Sequence, residues 1–294
     1  MIITFKEFKN NVKANATVFL GSFRFAEADE RRGRAVSVVH FGYKEKNYYF
    51  DASGDAELAD GTAAHPFTDF KQLKSALLNQ RVVKLSVKGE MVISEAYNIS
   101  SNFEVFNGGD ARLKFGADGS FVVKTSTLEI SDCRISNTSE ISKKSIVPLI
   151  KLENSVLTMK NCVIAADFTR NGTVIDASNA IINISDTMVS ANAVSYASFI
   201  AAVKSRISIR NSSVSTNADT SVIISADGGN VTAQKNDFLV SGGNGRIAEL
   251  FSVKAAFIEN NFKARLTNTT SKIQPLYVNK ATKLTDEKNI LQGF

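Results

Sequence analysis

Four stretches of this sequence, Leu128-Glu-Ile-Ser-Asp-Cys-Arg-Ile135, Leu157-Thr-Met-Lys-Asn-Cys-Val-Ile164, Ile182-Asn-Ile-Ser-Asp-Thr-Met-Val189 and Ile207-Ser-Ile-Arg-Asn-Ser-Ser-Val214, superpose without gaps. Weaker copies end at Leu239 and Phe262. Counting on the Asn or Asp of each copy gives Asp132, Asn161, Asp186, Asn211, Asn236 and Asn260, with steps of 29, 25, 25, 25 and 24 residues. A fixed period of that size marks one supersecondary unit stacked many times. Apolar residues fall four and two positions before the Asn or Asp and three after it, which is strand alternation on both sides of a corner. Asn and Asp tolerate the left-handed backbone and hydrogen-bond locally, so a corner repeated in every coil selects them. A further apolar run precedes each pair, at Val147 to Leu152, Val174-Ile175, Phe199-Ile200, Val222 to Ile224 and Ile247 to Phe251. Three short strands per coil follow, with the corner residues in one line and Ile130, Met159, Ile184 and Ile209 stacked inside.

The alternatives fit less well. A leucine-rich repeat shares the period but needs its own Leu and Asn pattern with a helical segment per repeat. A β-sandwich does not keep a constant 25-residue spacing. From about residue 80 onward the chain resembles the pectate-lyase-like superfamily of right-handed parallel β-helices, whose coils carry an asparagine ladder between the second and third strands. The fold class expected is therefore all-β, a right-handed parallel β-helix with three-strand coils of about 25 residues.

Upstream, Tyr48-Tyr-Phe-Asp-Ala-Ser-Gly-Asp55 and Asp60-Gly-Thr-Ala-Ala-His-Pro-Phe67 resemble the entry segment of secreted β-helix proteins, which leads into a capping helix. Thr68 or Asp69 suits the N-cap, and Phe70, Leu73 and Leu77 fall on one helix face able to cover the first coil. The organisation expected is an extension, a cap or the remnant of a preceding domain over 1–46, an entry segment and helix over 47–80, and the solenoid over 81–294. Residues 276–278 and 289–291 look like pieces of one more coil, and no C-terminal cap is identifiable.

Composition agrees and narrows the function classes. Hydrophobic residues make up 44% and charged residues 22% of 294 residues, with 3 prolines and no tryptophan. Such a chain buries a core and suits many short strands. The net charge of +6 favours acidic partners. The basic runs Arg31-Arg32-Gly33-Arg34 and Lys143-Lys144 are short and not interleaved with aromatics, so a nucleic-acid platform is not expected. No stretch of about 18 apolar residues provides a membrane span. Thr17 to Phe25 is interrupted by Arg24 and makes a poor signal peptide, so a fragment or a chain lacking its export signal is expected. Sequons occur at Asn15, Asn98, Asn137, Asn171, Asn183, Asn211, Asn230 and Asn268. Because Asn211 is a corner residue expected to be packed, they point to a bacterial product.

Chemistry is sparse. Cys133 and Cys162 hold the same position in adjacent copies and should be buried thiol neighbours, continued by Thr187 and Ser212. His40 and His65 lie outside the repeats. The resemblance implies a cleft along the first strands and the loops after the third. The alternation puts Leu149, Val174 and Phe199 in one outward stack and Lys151, Asp176 and Ala201 in the next. Neither offers the convergent carboxylates that calcium-dependent lyases need, nor an Asp-Asp pair with histidine as in polygalacturonase-type hydrolases. A ridge of Ser131, Lys160, Ser185, Arg210 and Lys235 should line the outer face of the second strand. No cofactor or metal site is expected. The leading expectation is a bacterial surface-displayed or secreted β-helix, non-catalytic, binding an acidic glycan or a host surface. Its loop edge carries Lys143, Lys144, Arg170 and Tyr196, with Lys151 and Asp176 beneath. A polysaccharide lyase or hydrolase and a structural spacer are the alternatives.

Overall fold

A computed structural model of the chain describes residues 45–77, 80–138, 147–267 and 275–293. From Asn47 onward the chain forms one compact unit, a parallel β-solenoid. The second strands stack in register from Val82 through Asn102, Thr127, Val156, Ile181, Arg206, Asn230 and Lys254 to Lys283. The third strands climb in parallel from Glu90 to Ile290, and the first strands from Ala96 to Leu276. Three parallel faces enclose a continuous core. Ile130, Met159, Ile184 and Ile209 follow one another in register and are buried, as the repeat predicts.

The entry segment behaves as its residues dictate. A short strand, Lys46–Asp51, leads to a helix, Phe70–Ala76, among the described residues. The Asp69 side chain accepts from the Gln72 backbone N–H at 2.8 Å, and the Gln72 side chain accepts from the Asp69 N–H at 3.4 Å, a reciprocal cap. Phe70, Leu73 and Leu77 are buried, and the Phe70 ring meets Tyr97 edge-on at 5.4 Å. The helix so seals the first coil.

The corner line needs one correction. Asp132, Asn161, Asp186 and Asn211 all have positive φ, between 49° and 58°, but in the next coils the left-handed residues are Lys235 and Glu259, then Lys288. Arg210 pairs with Gln234, which puts Asn236 and Asn260 one place past the corner, in line with Ser212, Thr187, Cys162 and Cys133. The outer ridge shifts accordingly, since Gln234 rather than Lys235 continues Arg210. Asparagine fits either place, because its short amide tolerates a left-handed backbone and also bridges coils.

Inside the corner those residues form a hydrogen-bonded ladder. The backbone N–H of Cys162 donates to Thr187 Oγ1 at 3.4 Å, that of Thr187 to Ser212 Oγ at 3.2 Å, and that of Ser212 to Asn236 Oδ1 at 2.9 Å. Asn236 then donates from its backbone to Asn260 Oδ1 at 3.0 Å, and Asn260 to Asn289 Oδ1 at 2.7 Å. The amide of Asn236 also donates to Ile209 O at 3.0 Å and that of Asn260 to Ala233 O at 3.0 Å. The corner thus satisfies buried backbone groups that sheet pairing leaves over. A second ladder, invisible in the repeat, runs inside the other corner. There Ser126 Oγ donates to Ile99 O at 2.9 Å, Ser155 Oγ donates to Val123 O at 2.8 Å, and Ser205 Oγ accepts from Ala180 N at 3.0 Å.

Cys133 and Cys162 are buried and unbridged. Burial pushes the Cys133 thiol up to about 12, and burial raises Cys162 as well. Asn211 is exposed at its corner, so the packing argument drawn from its sequon does not hold.

Candidate functional site

The first-strand face differs from the expected one because the strand bends. Leu149, Val174 and Phe199 are buried members of the core, not an outward apolar stack. The reason is in the register. Thr173 pairs with Ser198 and Ile175 with Ile200, with the residue between skipped, and the same step recurs at Phe199 and Ile223. At that bend consecutive residues are buried, Val174 with Ile175 and Ala197 through Ile200, and the in-out alternation resumes one place later.

Beyond the bend, Lys151 and Asp176 are paired across adjacent rungs, as expected. Lys151 Nζ lies 2.9 Å from Glu153, and Lys124 approaches the same carboxylate at 3.3 Å. The hydrogen bond from Lys151, then that from Lys124, holds Glu153 below its ordinary value, while the bond to Glu153 raises Lys151. Arg170 and Tyr196 meet before the bend, where the Arg170 carbonyl accepts from the Ser195 and Tyr196 backbone N–H groups at 2.7 and 3.2 Å. Burial raises the Tyr196 hydroxyl, a hydrogen bond with Ser198 opposes it, and the Glu249 carboxylate adds to the rise. Asp176 is in register with Ala201, five residues along the strand from Tyr196. At about 3.3 Å per residue, the two halves of the expected edge are separated by up to about 16 Å. Lys143 and Lys144 lie outside the described residues.

A tighter group closes the face at its C-terminal end. Arg246 reaches Glu249 at 2.7 Å and lies over the Tyr277 ring with its guanidinium carbon 4.7 Å from the centroid. Phe251 packs against the same ring at 5.7 Å. Tyr277 keeps 40% of its surface exposed. Glu249 and Tyr277 are register neighbours, so the sheet itself brings acid, base and ring together. Asp227 is in register with Phe251 and diagonal to Glu249. The group pairs a planar polar fork with an aromatic surface, the two elements that hold a sugar ring by its hydroxyls and its apolar face. Sequence reasoning missed it because Tyr277 follows its neighbour Glu249 by 28 residues, after four first-strand steps of 24 or 25. The only available signal was Leu276-Tyr-Val278 read as a strand fragment. Among the described residues, no three His, Cys, Asp or Glu side chains gather as a metal site, and no helix is long and apolar enough to cross a membrane.

No family model matches the chain, and no curated protein matches it. Among solved structures it is similar to a GH136 lacto-N-biosidase from Eubacterium ramulus, with 8% identity, 85% of this chain and 68% of that one covered and a TM-score of 0.32. It is also similar to a rhamnogalacturonan lyase, with 11% identity, 83% and 87% coverage and a TM-score of 0.32. At that TM-score neither likeness bears on activity, and the fold stands on the strand register. With three parallel faces and an asparagine ladder between its second and third strands, the chain is a parallel β-helix.

Proposed function

We propose that this chain is a non-catalytic β-helix, secreted or displayed on a bacterial surface, that binds a glycan along its first-strand face. The observation that carries the reading is the exposed Tyr277 ring flanked by Phe251 and overlaid by Arg246, with Glu249 fixing the guanidinium. A sugar ring stacks on such a surface, and the Arg246–Glu249 fork offers donors and acceptors to its hydroxyls. The net positive charge adds long-range attraction for an acidic glycan. Lys143, Lys144 and Arg170 belong to the same proposal as an outer basic edge. An extracellular place goes with the ligand class, since glycan polymers are met chiefly outside the cell.

Catalysis is the second reading, and one observation favours it. Asp227 and Glu249 are diagonal neighbours, and a glycosidase needs two carboxyls at a defined separation. Against it, Arg246 already engages the Glu249 carboxylate in an ion pair at 2.7 Å, so that carboxylate is not free to reach a substrate.

The test is binding to a panel of neutral and acidic oligosaccharides at low salt, with parallel assays for new reducing ends and unsaturated products. Binding should fall at least about tenfold in Tyr277→Ala and Arg246→Ala and survive in Tyr277→Phe, a loss of about 1.4 kcal/mol or more. The triple change of Lys143, Lys144 and Arg170 to Ser should weaken acidic ligands alone. A wild type that binds nothing on the panel defeats the proposal. New reducing ends that vanish in Asp227→Asn and Glu249→Gln establish the second reading instead.

A further inference from the structure

The first and last described coils of the solenoid are finished differently. In the first coil Val83, Leu85, Met91 and Ile93 are fully buried beneath the Phe70–Ala76 helix and the Lys46–Asp51 strand. The coil of 276–292 is the outermost rung among the described residues, and its inward row is open. Leu284 continues Ala255 and is 38% exposed, and Leu291 continues the fully buried Phe262 and is 58% exposed. An apolar end with an unpaired strand edge is a surface that other chains can pair with.

We infer that this end joins a second copy of the chain, end to end, about a two-fold axis through Thr285. The backbone defines how the edge can pair. Lys283 N–H donates to Val253 O and Glu287 O accepts from Glu259 N–H, so alternate residues 283, 285 and 287 face the preceding coil. Leu284 and Asp286 therefore direct their N–H and C=O groups away from it. Setting two such strands antiparallel about Thr285 places Leu284 opposite Asp286 of the second copy, and the reverse, as hydrogen-bonded pairs that complete four backbone bonds. The same register places Lys283 opposite Glu287 of the second copy, twice, with opposite charges in the close non-hydrogen-bonded position.

The sequence Lys283-Leu-Thr-Asp-Glu287 is thus complementary to itself reversed, as a two-fold contact requires. Head-to-tail stacking is not open to this molecule, because helix and strand already cover the other end. Asp286 stands at an inward position, where the Asn289 amide donates to its carboxylate. That partner lets the carboxylate sit beside Leu284 of the second copy, and its desolvation limits the dimer to moderate affinity.

Sedimentation velocity of the full chain over a range of concentrations tests this. A monomer–dimer equilibrium is expected. Asp286→Pro removes an N–H that the coil does not use, a change tolerated on edge strands, together with the exposed acceptor of the Asn289 amide, so it should abolish the dimer while the monomer stays folded with at most a small drop in its unfolding midpoint. Lys283→Glu should weaken dimerisation at least about tenfold by setting like charges opposite each other, and the double change Lys283→Glu with Glu287→Lys should restore it. A wild type that stays monomeric throughout, or a dimer indifferent to both charge changes, overturns the inference. Glycan binding on the first-strand face is measured separately and stands or falls on its own variants.

Discussion

Asn236→Ala should be among the most damaging single truncations of a polar side chain in this molecule. The side chain is buried and makes three hydrogen bonds, accepting from Ser212 N–H at 2.9 Å and donating to Ile209 O at 3.0 Å and Asn260 Oδ1 at 2.9 Å. Each of the three bonds is worth about 1 kcal/mol net, and an N–H left buried without a partner costs about 1–3 kcal/mol, so the total is roughly 4–6 kcal/mol. For a unit of this size the loss lowers the midpoint by about 2–4 °C per kcal/mol. Denaturant titration with an unchanged slope measures it. Asn236→Ser, which keeps an acceptor as Ser212 does, should recover part of the loss. Lys235→Gly gives the contrast, because Lys235 holds φ 56° and its ion pair with Glu259 spans 3.9 Å at the surface. Glycine relieves a left-handed cost of about 1–2 kcal/mol there, and the exposed pair is worth about 0–1 kcal/mol. Lys235→Gly should therefore be neutral or stabilising. If Asn236→Ala stays within about 1 kcal/mol of wild type while Lys235→Gly destabilises, the ladder assignment is refuted.

Thr216→Val should stabilise the fold by about 1 kcal/mol, since Thr216 Oγ1 is buried with no hydrogen-bond partner among the described residues; a lower denaturation midpoint would contradict this. Cys133 and Cys162 should resist a thiol reagent at neutral pH and react only on unfolding, because burial keeps both thiols protonated; this is read from the release of a coloured leaving group with and without denaturant. Asp51 is held at about 2, against 3.8 ordinarily, chiefly by the hydrogen bond from Lys88 and then that from Ser53. Its folded value is depressed, so its stabilisation is complete above the unfolded value and is lost as pH falls from about 4 through about 2. Asp51→Asn should flatten the midpoint against pH in that window, and an unchanged acid limb would count against the assignment.

The coil was legible because four copies align without a gap and each puts apolar residues at the same offsets from its corner. The register slips at Asn236 for a physical reason: asparagine suits the corner and the inner ladder alike, while Lys235 and Glu259 carry no corner signal of their own. The hydroxyl ladder of Ser126, Ser155 and Ser205 escaped because serine is common in any turn. Strict alternation mispredicted Leu149, Val174 and Phe199, since a bend in the first strand offsets the pleat by one residue. Of the expected site residues that are described, Lys151 lies beside Asp176 and Arg170 beside Tyr196. Their grouping, and the Arg246, Glu249, Phe251 and Tyr277 cluster, depend on which rung each residue occupies, and the broken period after residue 266 hides that for Tyr277.

The stacked parallel register itself is tested most directly by a distance between spin labels on Glu129→Cys and Ala256→Cys, with the native thiols buried and the labelled protein diluted into unlabelled chain. Glu129 aligns through Thr158, Asn183, Ser208 and Thr232 to Ala256 on one outer row, five rung spacings in all. At about 4.8 Å per rung the labels should give one narrow distance near 24 Å despite the long stretch of sequence between them. A broad distribution, or a single distance about 10 Å or more from that value, twice the spacing between neighbouring strands, would contradict the solenoid register.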